Sequence, residues 1–343
     1  MFYYVGMRRP QYIEIRCKSA LNRVQGMPFT WSLNPYRGCV HACHYCYARA
    51  SHTFYDLNAD EDFETQIFVK VNIAEVLRGE LARPSWCGES IALGTATDCY
   101  QPAEGRFRLT RRILEVCLAR HQPLSIVTKS TLILRDRDLL AELAQRAPVR
   151  IFITVTTLDP ALWKALEPGT PPPLQRLRVL RELRAAGIRA GVLLAPILPG
   201  LTDSVASLDG VLAAAAEHGA AFVSCGPLRL APLVKEHYLG VIGARFPDLL
   251  SRYERAYSGA NAPPAYRERL DARLAELRRK YHFAEDAPDD RERRRLPRAG
   301  ANPEDGARAR QLELPMFPGA ATRPDTGGLA PLRGEPHRAR TAS

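Results

Sequence analysis

The chain contains no run of about 18 apolar residues, the length that a membrane-spanning helix requires. An apolar signal segment is missing too, because Met7-Arg8-Arg9-Pro10 interrupts the first residues. Both absences point to a cytoplasmic protein. Paired zinc-type cysteines are also lacking: after Cys46 no further C-x-x-C occurs. In a reducing compartment the 8 cysteines read as metal ligands or catalytic groups, not disulfides. Cys17, Cys87, Cys117 and Cys225 are scattered, and most of them read as ordinary buried thiols. Acidic residues are in deficit, with 37 Asp and Glu against 48 Lys and Arg, for a net charge of +11. Residues 291–343 hold 11 Arg and 6 acidic residues, so +5 of that charge sits in the tail. A basic balance admits a nucleic-acid partner. It arises equally from an arginine-rich proteome without one.

What is present is an α/β chain of 343 residues, 46% hydrophobic, long enough for one large domain or two small ones. Strands are expected at residues 12–15, 30–34, 90–95, 124–129, 149–157, 189–197 and 221–225, with a short apolar run at 68–71. Helices are expected from Asn72 and Thr110 as N-caps, over 136–146, over 173–186 closed by Gly187, and over 204–218 closed by Gly219. Residues 232–257 read as mostly helical, and 264–283 as a charged helix. Repeated strand–helix units imply parallel strands with helical crossovers. Roughly six units are too few for a closed eight-unit barrel. The expected fold is a partial, open (βα)6 TIM-like barrel, with a doubly wound sheet as the alternative. The expected organisation is an N-terminal segment over 1–29, a core over 30–230, a helical extension over 231–284 and a disordered tail over 285–343.

Three cysteines fall within eight residues: Cys39, Cys43 and Cys46, spaced C-x₃-C-x₂-C. Thiolates are the soft ligands that iron–sulfur clusters and zinc prefer. Three thiolates on a [4Fe–4S] cluster leave one iron open to a ligand. The other reading is a Cys₃His zinc site completed by His41 or His44. The spacing, with Tyr45 just before the last cysteine, resembles the radical S-adenosylmethionine (SAM) superfamily. That resemblance implies a [4Fe–4S] cluster on Cys39, Cys43 and Cys46 and SAM on the open iron. It also implies one-electron cleavage of SAM to methionine and a 5′-deoxyadenosyl radical, and the partial barrel fold.

Ligands of parallel α/β folds sit at the carboxyl ends of the strands. The polar residues there are Gly94, Thr95, Thr97 and Asp98, then Lys129, then Thr154 and Thr156, and the apolar wall around Pro196. Small residues at Gly94 and Thr95 let backbone approach a ligand, and Thr97 and Asp98 suit an ammonium group. Lys129 suits a carboxylate, the two threonines a ribose, and the Pro196 wall adenine. Each has an ordinary reading as well: a capped turn, a solvated lysine, strand-favouring threonines. With Val127-Thr128-Lys129, Glu167-Pro168-Gly169-Thr170 and Ala195-Pro196-Ile197, the set resembles the spore photoproduct lyase-like branch over about residues 34–200. In that lyase two tyrosines beside the cluster, matching Tyr45 and Tyr47, help a cysteine return a hydrogen atom to DNA. The donor position is Thr95 here, and a threonine O–H is too strong to donate; Cys99 is the next thiol along the chain.

These residues describe a radical SAM enzyme abstracting hydrogen from a macromolecular substrate, with nucleic acid first and a protein or peptide second. Such an enzyme needs a one-electron reductant such as flavodoxin or ferredoxin. A non-catalytic iron–sulfur or zinc protein that binds nucleic acid is the rival from another class. The tail segment Gln311-Leu312-Glu313-Leu314-Pro315-Met316-Phe317 loosely resembles peptides that dock on the bacterial sliding clamp; a chance apolar run is its ordinary reading.

Overall fold

A computed structural model of the chain describes residues 9–283. The tail segment of residues 311–317 and the predicted disorder of 285–343 lie outside the described residues. Ten strands are present among them: β1 (Gln11–Ile15), β2 (Leu21–Arg23), β3 (Trp31–Leu33), β4 (Tyr36–Arg37), β5 (Gln66–Lys70), β6 (Ile91–Leu93), β7 (Leu124–Thr128), β8 (Val149–Thr154), β9 (Arg189–Ile197) and β10 (Val223–Pro227). The helices that matter for the site are α1 (Glu61–Thr65), α2 (Ile73–Leu81), α3 (Ala103–Phe107), α4 (Leu109–Arg120), α5 (Arg137–Arg146), α6 (Pro160–Leu166), α7 (Pro173–Ala185), α8 (Val205–Glu217) and α9 (Pro232–Arg245). They are followed by α10 (Pro247–Ala256) and α11 (Pro264–Lys280).

The main sheet runs β10-β9-β8-β7-β6-β3-β2. Its six strands from β3 to β10 are parallel, and β2 pairs antiparallel at one edge. The parallel strands lie side by side in chain order, so the winding never reverses. A doubly wound sheet must reverse at a switch point, and that alternative is thereby excluded. Among the described residues the sheet does not close, since β10 and β2 are its two edges. The expected open, six-stranded partial barrel is therefore present. Its strands read as nearly continuous apolar runs because helices and barrel packing cover both faces; Ile91, Ala92, Leu93, Ile151, Ile153, Val192 and Leu194 are all buried.

The apolar run near residue 68 forms β5, yet it joins a separate three-stranded sheet, β1-β5-β4, beside the cysteine loop. Two predicted caps act differently. Asn72 precedes α2, but its side chain accepts from Cys17 N at 2.8 Å and donates to Cys17 O at 3.0 Å. Thr110 lies inside α4, and the Glu104 carboxylate accepts from its backbone N–H at 2.9 Å. A carboxylate on the preceding helix thus takes the role expected of the hydroxyl. Helix α11 packs Leu270, Leu274 and Leu277 into the same core as the barrel strands.

Candidate active site

The cysteine loop follows β3 and β4, at the carboxyl end of the barrel. Backbone bonds fold it tightly: Ala42 N donates to Cys39 O and Cys46 N to Cys43 O, each at 3.2 Å. Ala42 takes a left-handed conformation, φ 54°. Buried side chains then staple the loop from outside. Gln101 Nε2 donates to Gly38 O at 2.9 Å while its Oε1 accepts from Val40 N at 3.2 Å. The fully buried Arg49 donates through Nε to Cys43 O at 3.0 Å. Cys39, Cys43 and Cys46 are free thiols, the first two buried and the third half-buried. Burial pushes Cys43 up to about 12 and Cys39 well above the usual thiol range. Such thiols become ligands only when a metal displaces their protons.

Three thiols on one largely buried loop are the soft donor set that an iron–sulfur cluster takes. Two thiolates on a zinc at about 2.3 Å can be no more than about 4.6 Å apart. Among the described residues the trio of His, Cys, Asp and Glu ligand atoms lying within 4.8 Å of one another is His44, Glu64 and His237, and the cysteines form no such trio. Neither His41 nor His44 completes a Cys₃His set there. His41 Nδ1 instead faces Asp98 Oδ2 at 3.2 Å.

The turn after β6 is engaged with this loop. Thr97 Oγ1 donates to Tyr36 O at 3.2 Å, and Ala96 N donates to Asn34 Oδ1 at 2.9 Å. Tyr47 donates its hydroxyl to Thr95 O. Asp98 accepts from Tyr100 N, Thr128 Oγ1 and Lys129 N at 2.9, 2.7 and 2.7 Å. Burial alone would raise the Asp98 pKa, but His41 and these donors bring it down to about 2. Gly94 takes φ +82°, and a Cβ there would stand 2.6 Å from Val127 O and 3.0 Å from Cys99 Sγ. Cys99 is fully buried beneath that turn, with burial holding its thiol well above the usual range. Thr95 is half-buried at the turn itself.

Glu167 is the hub of the opposite wall, and it escaped the list of candidate residues drawn from the sequence. It accepts from Tyr45 Oη, from Thr156 Oγ1 at 2.6 Å and from Arg176 Nη2 at 2.5 Å. Burial would raise its pKa, and Arg176, then Lys129, bring it down to about 2. Lys129 Nζ lies 5.6 Å from the centre of the Tyr45 ring. Burial works against the lysine charge, and Cys43 and Glu167 outweigh it, so its pKa is raised. Thr154 O accepts from Arg176 Nη1 at 3.1 Å. Thr154 and Thr156 are both buried, with Thr156 beyond the end of β8. Pro196, half-buried near the end of β9, follows a cis peptide bond. The structure thus brings Tyr45, Lys129, Thr156 and Cys43 around Glu167, and ties Thr95, Thr97 and Asp98 to the loop.

The Glu167-Pro168-Gly169-Thr170 turn docks directly on the cysteine loop. Gly169 N donates to His41 O at 3.1 Å and His44 N to Leu166 O at 3.0 Å. A Cβ at Gly169 would fall 2.1 Å from Val40 O. The motif was legible as a motif; its partner, the loop some 125 residues earlier, was not.

The family model of the radical SAM superfamily matches residues 33–208, more than half of the chain. An uncharacterised protein of Mycobacterium tuberculosis strain H37Rv is 44% identical over 304 residues, covering 85% of this chain and 89% of that one. An uncharacterised protein of Methanocaldococcus jannaschii is 30% identical over 193 residues, covering 56% of this chain and 70% of that one. Among solved structures, a spore photoproduct lyase mutant with bound AdoMet and dinucleoside spore photoproduct superimposes with a TM-score of 0.60 at 17% identity, covering 78% of each chain. That last likeness is one of fold.

Proposed function

The chain belongs to the radical SAM superfamily, and on that premise we propose that it is a cytoplasmic enzyme acting on nucleic acid. Cys39, Cys43 and Cys46 hold a [4Fe–4S] cluster, with SAM bound beside it at the carboxyl face of the barrel. When bound and reduced by a flavodoxin or ferredoxin, this pair supplies a 5′-deoxyadenosyl radical that abstracts hydrogen from the substrate. The observation that carries the reading is the half-buried Lys129, set beside Cys43 and Tyr45 at the end of β7. A fixed ammonium there is a partner for the SAM carboxylate. Thr154, on the next strand, and Pro196, on the one after it, extend the wall toward a nucleoside. Glu167 orients Tyr45 through its hydroxyl, and burial, then Glu167, keeps that phenol protonated far above its usual range.

Nucleic acid is favoured by the net charge of +11 and by the dinucleoside named with the structural neighbour. Thymine-dimer reversal of the lyase type is disfavoured. By the resemblance to the lyase, Thr95 takes the place of the donor thiol, and Cys99 is enclosed beneath Gly94. Anaerobically reconstituted protein, reduced in the presence of SAM, is expected to make 5′-deoxyadenosine, and Cys43→Ala to lose both iron and product. Deuterium from labelled DNA or RNA is expected in the 5′-deoxyadenosine. Product formed by the Cys43→Ala protein would sink the ligand assignment, and deuterium arriving only from protein would sink the substrate assignment.

A further inference from the structure

A second group of metal-ligating side chains, none of them a cysteine, converges beside the cysteine loop. His44 Nδ1 lies 3.1 Å from His237 Nε2, and the two rings stand 5.2 Å apart at 34°. The Glu64 carboxylate joins them, with all three ligand atoms within 4.8 Å of one another. The trio is assembled from the cysteine loop, α1 and α9, and 193 positions separate the two histidines.

Proton placement prepares these rings for a cation. His237 Nδ1 is 2.5 Å from Asp60 Oδ1. A carboxylate only accepts, so Nδ1 carries the hydrogen and Nε2 turns its lone pair toward His44. An imidazole anchored through its far N–H by a carboxylate is the usual arrangement of a metal-bound histidine. His44 Nε2 is enclosed with no hydrogen-bond partner. Without an ion, His44 Nδ1–H donates to the His237 lone pair at 3.1 Å; an ion entering between the rings displaces this hydrogen to the unpartnered Nε2, and Nδ1 then offers its own lone pair. Arg49 occupies Oε1 of Glu64, leaving Oε2 for an ion.

Distances agree with zinc. Two nitrogens bound at 2.0–2.1 Å to one tetrahedral ion stand about 3.3 Å apart, so the rings need to part by only a few tenths of an ångström. Two imidazoles with one carboxylate favour a transition ion over magnesium or calcium. We propose that His44, His237 and Glu64 bind one zinc ion, with Asp60 orienting His237. The ion clips α9 to the loop that carries Cys39, Cys43 and Cys46.

The test uses full-length protein with its cluster already reconstituted, so that the cysteines are occupied. It is equilibrated anaerobically with equimolar zinc sulfate, desalted, and analysed for iron and zinc by mass spectrometry and for zinc ligation by X-ray absorption. About one zinc per chain is expected beside about four irons, with nitrogen and oxygen ligands only. His237→Gln and Glu64→Gln are each expected to lose the zinc and keep the iron, and retained iron shows that the loop is folded. No retained zinc, a sulfur-containing shell, or zinc that survives both substitutions overturns the site.

Discussion

At the scale of the residue, Glu167 carries the most. It is a buried anion whose charge is held by Arg176 and Lys129 and by hydroxyls from Tyr45 and Thr156. Removing one partner of a buried pair leaves the other uncompensated, which costs about 3–5 kcal/mol. Glu167→Gln is therefore expected to destabilise the protein by that order at neutral pH, read by urea denaturation. The folded pKa of about 2 lies below the ordinary glutamate value of roughly 4.3. A depressed pKa contributes stability that is full above the ordinary value and lost as pH falls toward the folded one. Wild-type stability should thus fall between about pH 5 and pH 2. Glu167→Gln should show a shallower fall, because Asp98, also depressed to about 2, still titrates there. An equally steep fall in the variant would refute the assignment.

At the scale of the element, the decisive contact is a turn against a loop. The turn after α6 meets the cysteine loop backbone to backbone, and Gly169 permits the approach. A methyl group there collides with Val40 O at 2.1 Å, and no rotamer change relieves a contact with backbone. Gly169→Ala is expected to displace the loop and reduce bound iron severalfold after reconstitution. The far-ultraviolet circular dichroism should stay near that of wild type, since the barrel strands lie elsewhere. Full iron loading in this variant would show that the loop is not positioned by the turn.

At the scale of the whole molecule, charge is the property that bears on the partner. Of the net +11, residues 291–343 supply +5. Each phosphate neutralised contributes about −0.9 to the slope of log K against log salt on duplex DNA. If the proposed nucleic-acid reading is right, protein ending at residue 290 should bind DNA more weakly and with a shallower slope than the full chain. Fluorescence anisotropy at several salt concentrations measures both. An unchanged slope would assign the tail charge to something other than nucleic acid.

Much of this was legible in the chain itself, and the division has a physical cause. Spacing within Cys39, Cys43 and Cys46 is local information, so the proposed ligand set can be read off the chain. The alternation of apolar strands with helices is also local, and it implied an open barrel of six parallel strands. What a side chain meets across the barrel is not local. Thr97 and Asp98 are read from the chain as polar groups at a strand end, and only folding shows that they stand against Tyr36, His41 and Thr128. Glu167 reads as one residue of a turn, and Arg176 as one arginine of a surface helix. Only packing buries both and points them at each other. His44 and His237 carry no shared pattern at all. They meet because the helices after β10 return over the cysteine loop, a closure over long sequence separation that no short window of sequence records.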